Sequence, residues 1–490
     1  MKAFVLILGC LCCAFVAHAQ VSTFEEFRKQ ERSRFEIYRQ QQRSEFEEYR
    51  QKRNKEFADY LAKKWKDIDV YKGMIAPAFP KPFVPQPEPD SSVVKNIPRQ
   101  LLVKQIKTAP PVVPKVKPVK IDVPVSPEDD RCITVTFLGS RCKIHTLQSC
   151  DITLTGIRPA DISAGWKNIA TEQTDLLVYD CQQLRDELQL CDYAYYLLIK
   201  QVALSVLGDQ KINEAVLLSG YILAQSGIDF RFATDSRSLI LALPFDVTVY
   251  GKSYYTIGGR KYYLMDREHV GSIQIVPDAY SPEAEMCHLA FSAPMHLSQN
   301  MAEPRHLASE KYPELEVDVS GNRNLMDLYS QYPRVDWAVY ANVPLDETTK
   351  KRLLSSLGNV VSGKTEEETV NMLLNFVQTT FVYGYDDEIW GDDRPFFADE
   401  TLFYSYSDCE DRAILFSQLV RMFTPLDVVL LHYPNHLATA VRFTRDFSGD
   451  YVLVDGHKYF VCDPTGYKPI GHAYDEFKDV KAEVIRLNAE

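Results

Sequence analysis

The sequence predicts an α+β fold, because patterns typical of helices and patterns typical of strands occupy separate stretches of the chain. Behind Cys409, apolar residues recur at three- and four-residue spacing as far as Phe423, which predicts a helix. The segments around His436 and just before Asp463 alternate and are rich in β-branched and aromatic residues, which predicts strands. A chain of 490 residues is long enough for two or three domains.

Residues 1–19 are predicted to be a secretory signal peptide. Lys2 precedes an apolar stretch, and small residues end at Ala19, where we expect cleavage. Cys10 suggests a lipoprotein signal, but the apolar run before it is too short. We therefore expect an exported protein that is periplasmic, attached to the cell surface or secreted. No other stretch reaches the roughly 18 apolar residues of a membrane-spanning helix, so no transmembrane segment is expected in the mature chain.

Residues 20–70 are predicted to form one long helix, because they carry an 11-residue repeat of aromatic residues. Eleven residues make three turns at 3.67 residues per turn, so the aromatic side chains form a stripe. The stripe favours packing on the protein's own body or self-association through residues 24–66, rather than membrane binding, because the polar face has mixed charge. The repeat places Phe24, Phe35, Phe46 and Phe57 at its first position and Phe27, Tyr38, Tyr49 and Tyr60 at its fourth.

Residues 71–130 are predicted to be an extended, Pro-rich linker, because Pro at this density supports neither a helix nor a central strand. The remainder, residues 131–490, carries 32 Lys and Arg against 50 Asp and Glu. This acidic balance excludes nucleic acid as an expected partner.

Eight of the eleven cysteines follow the predicted signal peptide. An exported protein can form disulfides, but the sequence does not determine their pairing. The mature chain has no C-x-x-C motif, which argues against a zinc site. Cys462 adjoins Asp463 on a predicted strand, so its side chain points to the opposite face and we expect a buried, non-catalytic thiol. Five of the cysteines crowd together, at Cys132, Cys142, Cys150, Cys181 and Cys191.

Cys409, His436 and Asp463 form the pattern expected of a catalytic triad. Cys409 lies in the first turn of its predicted helix, where unpaired backbone N–H groups and the positive end of the helix dipole favour the thiolate. His436 follows 27 residues later on one predicted strand, and Asp463 another 27 residues later at the end of the next. In such an arrangement His takes the thiol proton, and Asp orients the ring and stabilises the imidazolium.

This order of residues and elements resembles the transglutaminase-like superfamily, whose fold is related to that of papain. The run Asp408-Cys409-Glu410-Asp411 also resembles the bacterial transglutaminase-like cysteine proteinases. The resemblance covers residues 350–480. It implies that Cys409, His436 and Asp463 are catalytic, that an aromatic side chain can complete the oxyanion hole, and that acids beside the cysteine can hold calcium.

Several residues are candidates for the oxyanion hole and for calcium binding. The backbone N–H of Cys409 is one expected oxyanion donor, and Trp390, Tyr404 and Tyr406 are candidates for the second, unless their rings only line the loop. Gln378 is a weaker candidate because it lies within a predicted helix. Asp408 and Glu410 are the candidate calcium ligands. Even with Asp411 the run supplies only three acids, which are few for calcium, and Asp411 can instead form a structural pair with Arg412. No other cofactor is expected.

The segment near residues 215–266 is similar in sequence to the segment that contains Cys409 and Asp463. Matching residues of the two segments are 198 positions apart at first and 197 positions apart further along the chain. An internal duplication of a transglutaminase-like core explains both matches, and chance similarity of two helix-strand-strand units is the alternative. In the first copy Lys211 occupies the position of Cys409, and Ser238 occupies that of His436. Only Asp266 matches its counterpart, Asp463. We therefore expect residues 131–280 to be a degenerate, inert unit, residues 281–345 a β-rich connection, and residues 346–490 the catalytic unit.

The leading functional hypothesis is an exported thiol hydrolase that acts on a peptide or amide bond of a protein or peptide substrate. A transglutaminase that joins Gln to an amine is the alternative within the superfamily, because both enzymes form a thioester. A non-catalytic surface or assembly protein that uses the fold for binding is the alternative of a different class. Reactivity of the Cys409 thiol at neutral pH distinguishes the enzymes from the binding protein.

Overall fold

The computed structural model contains both helices and sheets, which confirms the predicted α+β class. The predicted signal peptide, residues 1–19, lies outside the described residues, as do Trp390 and Cys150. The structure describes residues 29, 44, 47–70, 99–108, 132–147, 152–235, 237–266, 271–384 and 394–488.

The chain divides into two compact units, one ending at Leu61 and one beginning at Ala62. In the first unit residues 47–61 are helical (α1), and the rings of Phe57 and Tyr60 stack with centroids 6.4 Å apart. The earlier aromatic positions of the repeat, from Phe24 to Phe46, lie outside the described residues.

The prediction of one long helix over residues 20–70 is wrong for the last residues of that range. Residues 66–70 do not continue the helix but form strand β1, Lys66–Val70, in the second unit. Their sequence alternates charged and apolar residues, and this period of two matches a half-buried strand.

The first large sheet has six strands, in the order β1-β10-β6-β7-β9-β8, and every neighbouring pair is antiparallel. Four helices and a small hairpin precede most of its strands along the chain. The hairpin consists of β4 (Cys132–Phe137) and β5 (Ser140–His145); the helices are α2 (Pro159–Ile169), α3 (Glu172–Glu187), α4 (Asp192–Leu207) and α5 (Ile212–Gln225); the remaining strands are β6 (Arg231–Thr234), β7 (Leu239–Pro244), β8 (Tyr254–Ile257), β9 (Arg260–Leu264) and β10 (Gly271–Ile275).

The second large sheet has seven strands, in the order β2-β17-β18-β16-β15-β19-β3. Its first and last strands come from far away in the sequence and pair in parallel with β17 and β19. The strands are β2 (Arg99–Gln100), β3 (Val103–Thr108), β15 (Asp427–Tyr433), β16 (His436–Arg442), β17 (Asp450–Val454), β18 (His457–Cys462) and β19 (Ala482–Arg486).

Strands β2 and β3 lie within the predicted linker, residues 71–130, so that prediction is wrong for residues 99–108. These ten residues contain neither Pro nor Gly, and they therefore keep the backbone N–H groups that a strand needs. Both strands occupy edges of the sheet, where a strand needs only one neighbour. The prolines on either side of this segment lie outside the described residues.

The two large sheets share a strand order. Strands β8, β9, β7, β6 and β10 follow one another in the first sheet as β17, β18, β16, β15 and β19 do in the second. The pairing registers also correspond, because adding 198 to the paired residues Arg231 and Ala242 gives Val429 and Ala440, which are themselves paired.

The hairpins β8–β9 and β17–β18 correspond when 197 is added to the residue numbers. Ile257 pairs with Arg260 in the first, and Val454 pairs with His457 in the second. Each is closed by two residues of positive φ, the conformation of a type I′ turn, whose twist matches that of the strands it joins. These turn residues are Gly258 and Gly259 in the first hairpin and Asp455 and Gly456 in the second.

The connection predicted as β-rich, residues 281–345, is mostly not strand. It holds one two-stranded hairpin, β11 (Arg305–Ala308) with β12 (Glu316–Val319), and two short helices, α6 (Arg323–Ser330) and α7 (Trp337–Asn342). Asn322 caps α6 with its side chain, which explains the change from strand to helix at this point.

The remaining elements lead from this connection to the second sheet. The sequence Thr365-Glu366-Glu367-Glu368 predicts a capping box at the start of a helix, and Thr365 and Glu368 form this box at the start of α9. The elements are α8 (Glu347–Val361), α9 (Glu366–Thr380), β13 (Val382–Tyr383), α10 (Ala398–Phe403), β14 (Tyr406–Ser407) and α11 (Cys409–Phe423), with a short 3₁₀ turn at Asp475–Phe477 before β19.

A cluster of aromatic rings connects α4 to the segment that precedes α10. Tyr332 lies edge-on to Tyr193 of α4, with centroids 5.1 Å apart, and edge-on to Phe397, with centroids 5.2 Å apart. Tyr329 of α6 stacks on the same Phe397 ring at 4.0 Å. Each such ring pair stabilises the fold by about 0.5–1.5 kcal/mol beyond the contribution of the apolar area that it buries.

Six of the cysteines that the structure describes are buried free thiols: Cys142, Cys181, Cys191, Cys287, Cys409 and Cys462. Burial raises the pKa of Cys181 and Cys191, in the second case to about 11. Cys462 is buried as predicted, with its pKa well above the ordinary value.

We predict that Gly220→Ala lowers the free energy of unfolding by about 1–3 kcal/mol, because the new Cβ would overlap the buried Phe232 ring beneath α5. The matched control is Gly358→Ala in α8. There the new Cβ would lie 3.4 Å from the nearest side-chain atom, on Phe423. That change should be neutral or stabilise by up to about 1 kcal/mol, as Ala usually does within a helix. Urea unfolding followed by circular dichroism measures both, and equal effects would contradict the packing argument.

Candidate active site

Helix α11 positions Cys409 as its first residue, as the sequence predicts. Asp408 is the N-cap, and its Oδ1 accepts the backbone N–H of Asp411 at 3.4 Å. In return, Asp411 Oδ2 accepts the backbone N–H of Asp408 at 3.2 Å. This reciprocal capping box fixes the start of the helix, and with it the position of the thiol.

His436 and Asp463 are in direct contact. His436 is the first residue of β16, Asp463 follows directly after β18, and both side chains are buried. His436 Nε2 lies 2.6 Å from Asp463 Oδ2. The imidazole also stacks almost parallel on Phe477, with centroids 4.9 Å apart. The ring is therefore held at its edge by a carboxylate and on its face by an aromatic side chain.

The loop that follows Asp463 is tied down by its own backbone and by α9. Asp463 Oδ1 accepts the backbone N–H of Thr465 at 3.0 Å. Gln378 Nε2 donates to the carbonyl oxygens of Asp463 and Lys468, both at 2.8 Å. Gln378 was a weak candidate for the oxyanion hole, but its amide instead holds the Asp463 loop in place.

Cys409 lies next to the start of β16. The backbone of Leu437, the residue after His436, lies close enough to the Cys409 thiol to lower its pKa, although burial outweighs this effect. The structure therefore brings the thiol of α11 to the end of β16 at which His436 contacts Asp463.

The thiol is less acidic than the sequence suggested. Cys409 is fully buried, and its Sγ lies 3.5 Å from Glu410 Oε2. Burial, together with the negative charges of Glu410 and Asp408, raises the pKa of the Cys409 thiol well above its ordinary value. The predicted preference of the helix N-terminus for thiolate is therefore outweighed, because loss of solvation and like charges both favour the neutral thiol.

Arg412 organises the surroundings of the site, a role that the sequence analysis missed. Its buried guanidinium donates to the carbonyl oxygens of Thr465 at 2.9 Å and Phe381 at 2.7 Å. It also donates to Gln378 O at 3.3 Å and to Ser407 Oγ at 3.0 Å. An arginine on the otherwise apolar face of a predicted helix was the available signal, since buried charges need several partners.

Asp411 does not serve as the structural partner of Arg412 that the sequence suggested. Its Oδ1 accepts the backbone N–H of Phe396 at 2.8 Å and so anchors the segment before α10. Burial raises the pKa of Asp411 to about 7 and that of nearby Glu400 to about 6, although Arg394 partly offsets the effect on Glu400. The pKa of Asp399 is likewise raised to about 7 by burial.

The oxyanion candidates remain predictions. Tyr404 and Tyr406 stack with centroids 6.2 Å apart, and both contact the Phe396 ring. The Tyr404 hydroxyl also interacts with Arg394, and burial raises the pKa of Tyr404 above its ordinary value. Trp390 lies outside the described residues.

Calcium binding also remains a prediction. Asp408, Cys409 and Glu410 each offer a ligand atom within 4.8 Å of the others. Calcium takes six to eight oxygen ligands, and this group supplies two carboxylates and a thiol. Asp408 is also engaged as the helix N-cap. By itself this group therefore supplies too few oxygen ligands for calcium.

The corresponding residues of the first sheet make different contacts. Lys211 precedes α5, and its Nζ donates to Ile152 O at 3.3 Å and to Thr153 Oγ1 at 3.2 Å. Asp266 accepts from Lys200 Nζ of α4 at 2.5 Å. An ammonium group therefore meets Asp266, whereas an imidazole meets Asp463.

No protein-family model, curated protein or solved structure matches this chain. In the part of the chain that the structure describes, no helix is both long enough and apolar enough to cross a membrane.

We predict that Glu410→Gln lowers the pKa of the Cys409 thiol, because it removes the carboxylate that disfavours the thiolate. Alkylation of Cys409 by iodoacetamide should then rise at lower pH, by up to about tenfold at a given pH for each pKa unit recovered. Mass spectrometry of the Cys409 peptide measures the rate across pH 6–10. Glu367→Gln, at an exposed position of α9, is the matched control, and identical pH profiles for both variants and the unmodified protein would contradict the electrostatic argument.

We predict that Arg412→Met destabilises the fold by roughly 3 kcal/mol or more, because it leaves several buried carbonyl groups without a donor. The urea midpoint of unfolding measures the effect. Arg352→Met, at an exposed position of α8, should change stability by less than about 0.5 kcal/mol. A similar loss in both variants would refute the role assigned to Arg412.

Proposed function

We propose that this protein is an exported, thiol-dependent acyl-transfer enzyme that hydrolyses a peptide or amide bond, with Cys409, His436 and Asp463 as its catalytic residues. The observation that carries the proposal is the 2.6 Å contact between His436 Nε2 and Asp463 Oδ2 at the end of β16, where the backbone of Leu437 contacts the Cys409 sulfur. A buried carboxylate on one imidazole nitrogen directs the other nitrogen, Nδ1, toward the role of base.

In the first half of the proposed reaction, His436 Nδ1 takes the proton of the Cys409 thiol as the sulfur attacks the carbonyl carbon of the substrate. The carbonyl π electrons move to oxygen and form a tetrahedral oxyanion. When the oxyanion collapses, the C–N bond breaks, and the imidazolium returns its proton to the leaving amine. A thioester remains on Cys409, and Asp463 stabilises the transient imidazolium.

In the second half, His436 takes a proton from water as the water oxygen attacks the thioester carbon. The C–S bond then breaks, the acid product leaves, and the proton returns to the sulfur. The Cys409 backbone N–H is the first candidate donor to the oxyanion, because the first N–H groups of a helix have no partner within it. Trp390, Tyr404 and Tyr406 are candidates for the second.

The raised pKa of Cys409 favours the neutral thiol, so the proposed mechanism places the proton transfer in the attack step. A substrate that presents its carbonyl to Cys409 would supply the electrophile that accepts the new charge.

We also propose that residues 131–280 and 346–490 are two transglutaminase-like units and that the first is degenerate. The shared strand order and the matching pairing registers support a duplication. Lys211 and Ser238 replace the nucleophile and the base, so the first unit is inert in acyl transfer. Superposition of an experimental structure tests the duplication, and different helix positions on the two sheets would refute it.

The buried thiol favours a second candidate function, in which the protein binds a partner without catalysis. A Cys409 that stays buried and neutral would be a structural thiol, as free cysteines often are. The unit around it would then serve as a binding surface.

A peptide library tests the catalytic proposal. The mature chain is incubated with the library, with and without a primary amine, and mass spectrometry detects cleaved peptides, amine adducts and any thioester on Cys409. We expect cleavage to be absent in Cys409→Ala and reduced at least about a hundredfold in Asp463→Asn, because the carboxylate no longer sets the imidazole tautomer. Cys462→Ala is the matched control, since Cys462 lies next to Asp463 without contacting His436 in the proposed chemistry.

The outcomes separate the candidates. Amine adducts without cleavage identify a transglutaminase. Neither product nor thioester, in a chain that unfolds cooperatively, supports the non-catalytic binding protein and rejects the enzyme. Loss of cleavage in Cys462→Ala as severe as in Cys409→Ala would show that the assay reports folding rather than the triad.

We propose in addition that the protein self-associates through residues 24–66. Light scattering of the mature chain and of a chain that begins at Ala62 should then give different molecular masses per particle. Equal association in both would refute the role of the aromatic stripe. Sequencing of the amino terminus of the expressed protein tests export and cleavage after Ala19.

A further inference from the structure

A cleft of about 370 Å³ lies on the first sheet, between α4, the start of α5 and strand β7. The wall formed by β7 comprises Leu239–Leu241, and the floor includes Val216 of α5. A volume near 370 Å³ falls at the lower end of the range of ligand pockets, so it suits one or two side chains of a polypeptide rather than a large cofactor.

The cleft occupies the position that corresponds to the candidate active site. The register shared by the two sheets matches Leu239 with Leu437, whose backbone contacts Cys409. Asp266, at one end of the cleft, follows β9 as Asp463 follows the corresponding strand β18. The first sheet therefore keeps an open cleft at the place where the second sheet holds its buried triad.

The polar groups that line the cleft include an ion pair. Lys200 Nζ is 2.5 Å from Asp266 Oδ1, and Tyr196 donates its hydroxyl to the same oxygen at 3.4 Å. The charge of Lys200 is thus matched by Asp266. Asp209 adds a second, exposed carboxylate, so the lining carries two negative charges and one positive charge.

The apolar part of the cleft reaches the surface. Ile212 lines it and is 54% exposed, so its side chain is accessible to a bound group. Ile212 is the first residue of α5, and the sequence spacing of 198 residues makes Glu410, the acid beside the thiol, its counterpart. An aliphatic residue has therefore taken the place of a charged one, in a cleft that also presents the exposed Asp209 carboxylate.

We propose that this cleft binds a peptide segment in which an aliphatic side chain is followed by a basic one. The aliphatic side chain would pack against Ile212 and Val216, and the basic group would pair with Asp209. The choice of a peptide rests on the proposed function, since the corresponding position of the second sheet is the one assigned to a peptide substrate. The cleft would then hold part of a substrate chain outside the site of cleavage.

Fluorescence anisotropy with a labelled peptide tests this inference. The probe is fluorescein-Gly-Ser-Leu-Arg-Ser-Gly, and the protein is the full mature chain carrying Cys409→Ala, so that binding is measured without turnover. We expect saturable binding that weakens with added NaCl, and weaker binding of probes with Glu in place of Arg or Ser in place of Leu.

Two variants locate the site. Asp209→Asn should weaken binding about two- to fivefold, the range of an exposed ion pair, and Ile212→Ser about threefold or more through loss of apolar contact. The matched controls are Asp67→Asn and Leu354→Ser, two exposed positions that do not line the cleft and should leave binding unchanged.

Absence of saturable binding, equal binding of the Glu probe, or equal effects of the cleft and control variants would overturn the inference. Failure of the catalytic proposal is distinguishable from these outcomes. If the probe binds the cleft but the unmodified chain neither cleaves nor acylates, the binding site stands and the enzyme proposal fails. If the chain cleaves peptides but the cleft variants bind normally, the reverse holds.

Discussion

The buried guanidinium of Arg412 ties together the segments that build the candidate site. It donates hydrogen bonds to the carbonyl oxygens of Gln378 and Phe381 at the end of α9. It also donates to Ser407 in the strand before α11 and to the carbonyl oxygen of Thr465 in the loop after Asp463. These segments are far apart in sequence, and a planar group with five donors can satisfy several carbonyl groups at once. Because Arg412 lies on the same helix as Cys409, the tie also sets the distance between the thiol and the Asp463 loop.

Electrostatics around the thiol oppose its ionisation. The helix N-terminus contributes a partial positive charge, but Cys409 is fully buried beside Glu410 and Asp408. Removal of a thiolate from water costs more than a helix dipole supplies, since dipole effects are about 0.3–1 kcal/mol in exposed settings. Burial and the neighbouring carboxylates therefore both favour the neutral thiol.

The two sheets share a strand order but place different groups against their corresponding carboxylates. Strand order and register agree between them, yet Asp463 meets an imidazole whereas Asp266 meets the Lys200 ammonium. An ammonium group matches the charge of a carboxylate but, once paired, does not exchange a proton near neutral pH as imidazole does. The scaffold is thus compatible with a reactive site in one place and a binding cleft in the other.

Local sequence patterns determined the elements that carry the candidate triad. The apolar spacing behind Cys409, the capping box at Thr365 and the alternation near His436 each depend on neighbours within a few residues, and the structure has these elements where the patterns predict them. The correspondence between the two sheets was likewise visible in the sequence, because paired elements of similar length leave a similar spacing.

Contacts between distant segments were decided only by the tertiary structure. The strands at residues 66–70 and 99–108 were missed because a helical repeat and a Pro-rich composition dominate their surroundings, whereas their pairing partners lie hundreds of residues away. The positions of Arg412 and Gln378 depend on carbonyl groups that no local pattern reveals. The acidity of Cys409 also depends on burial, which sums the packing of the whole unit, so a favourable helix position alone could not determine it.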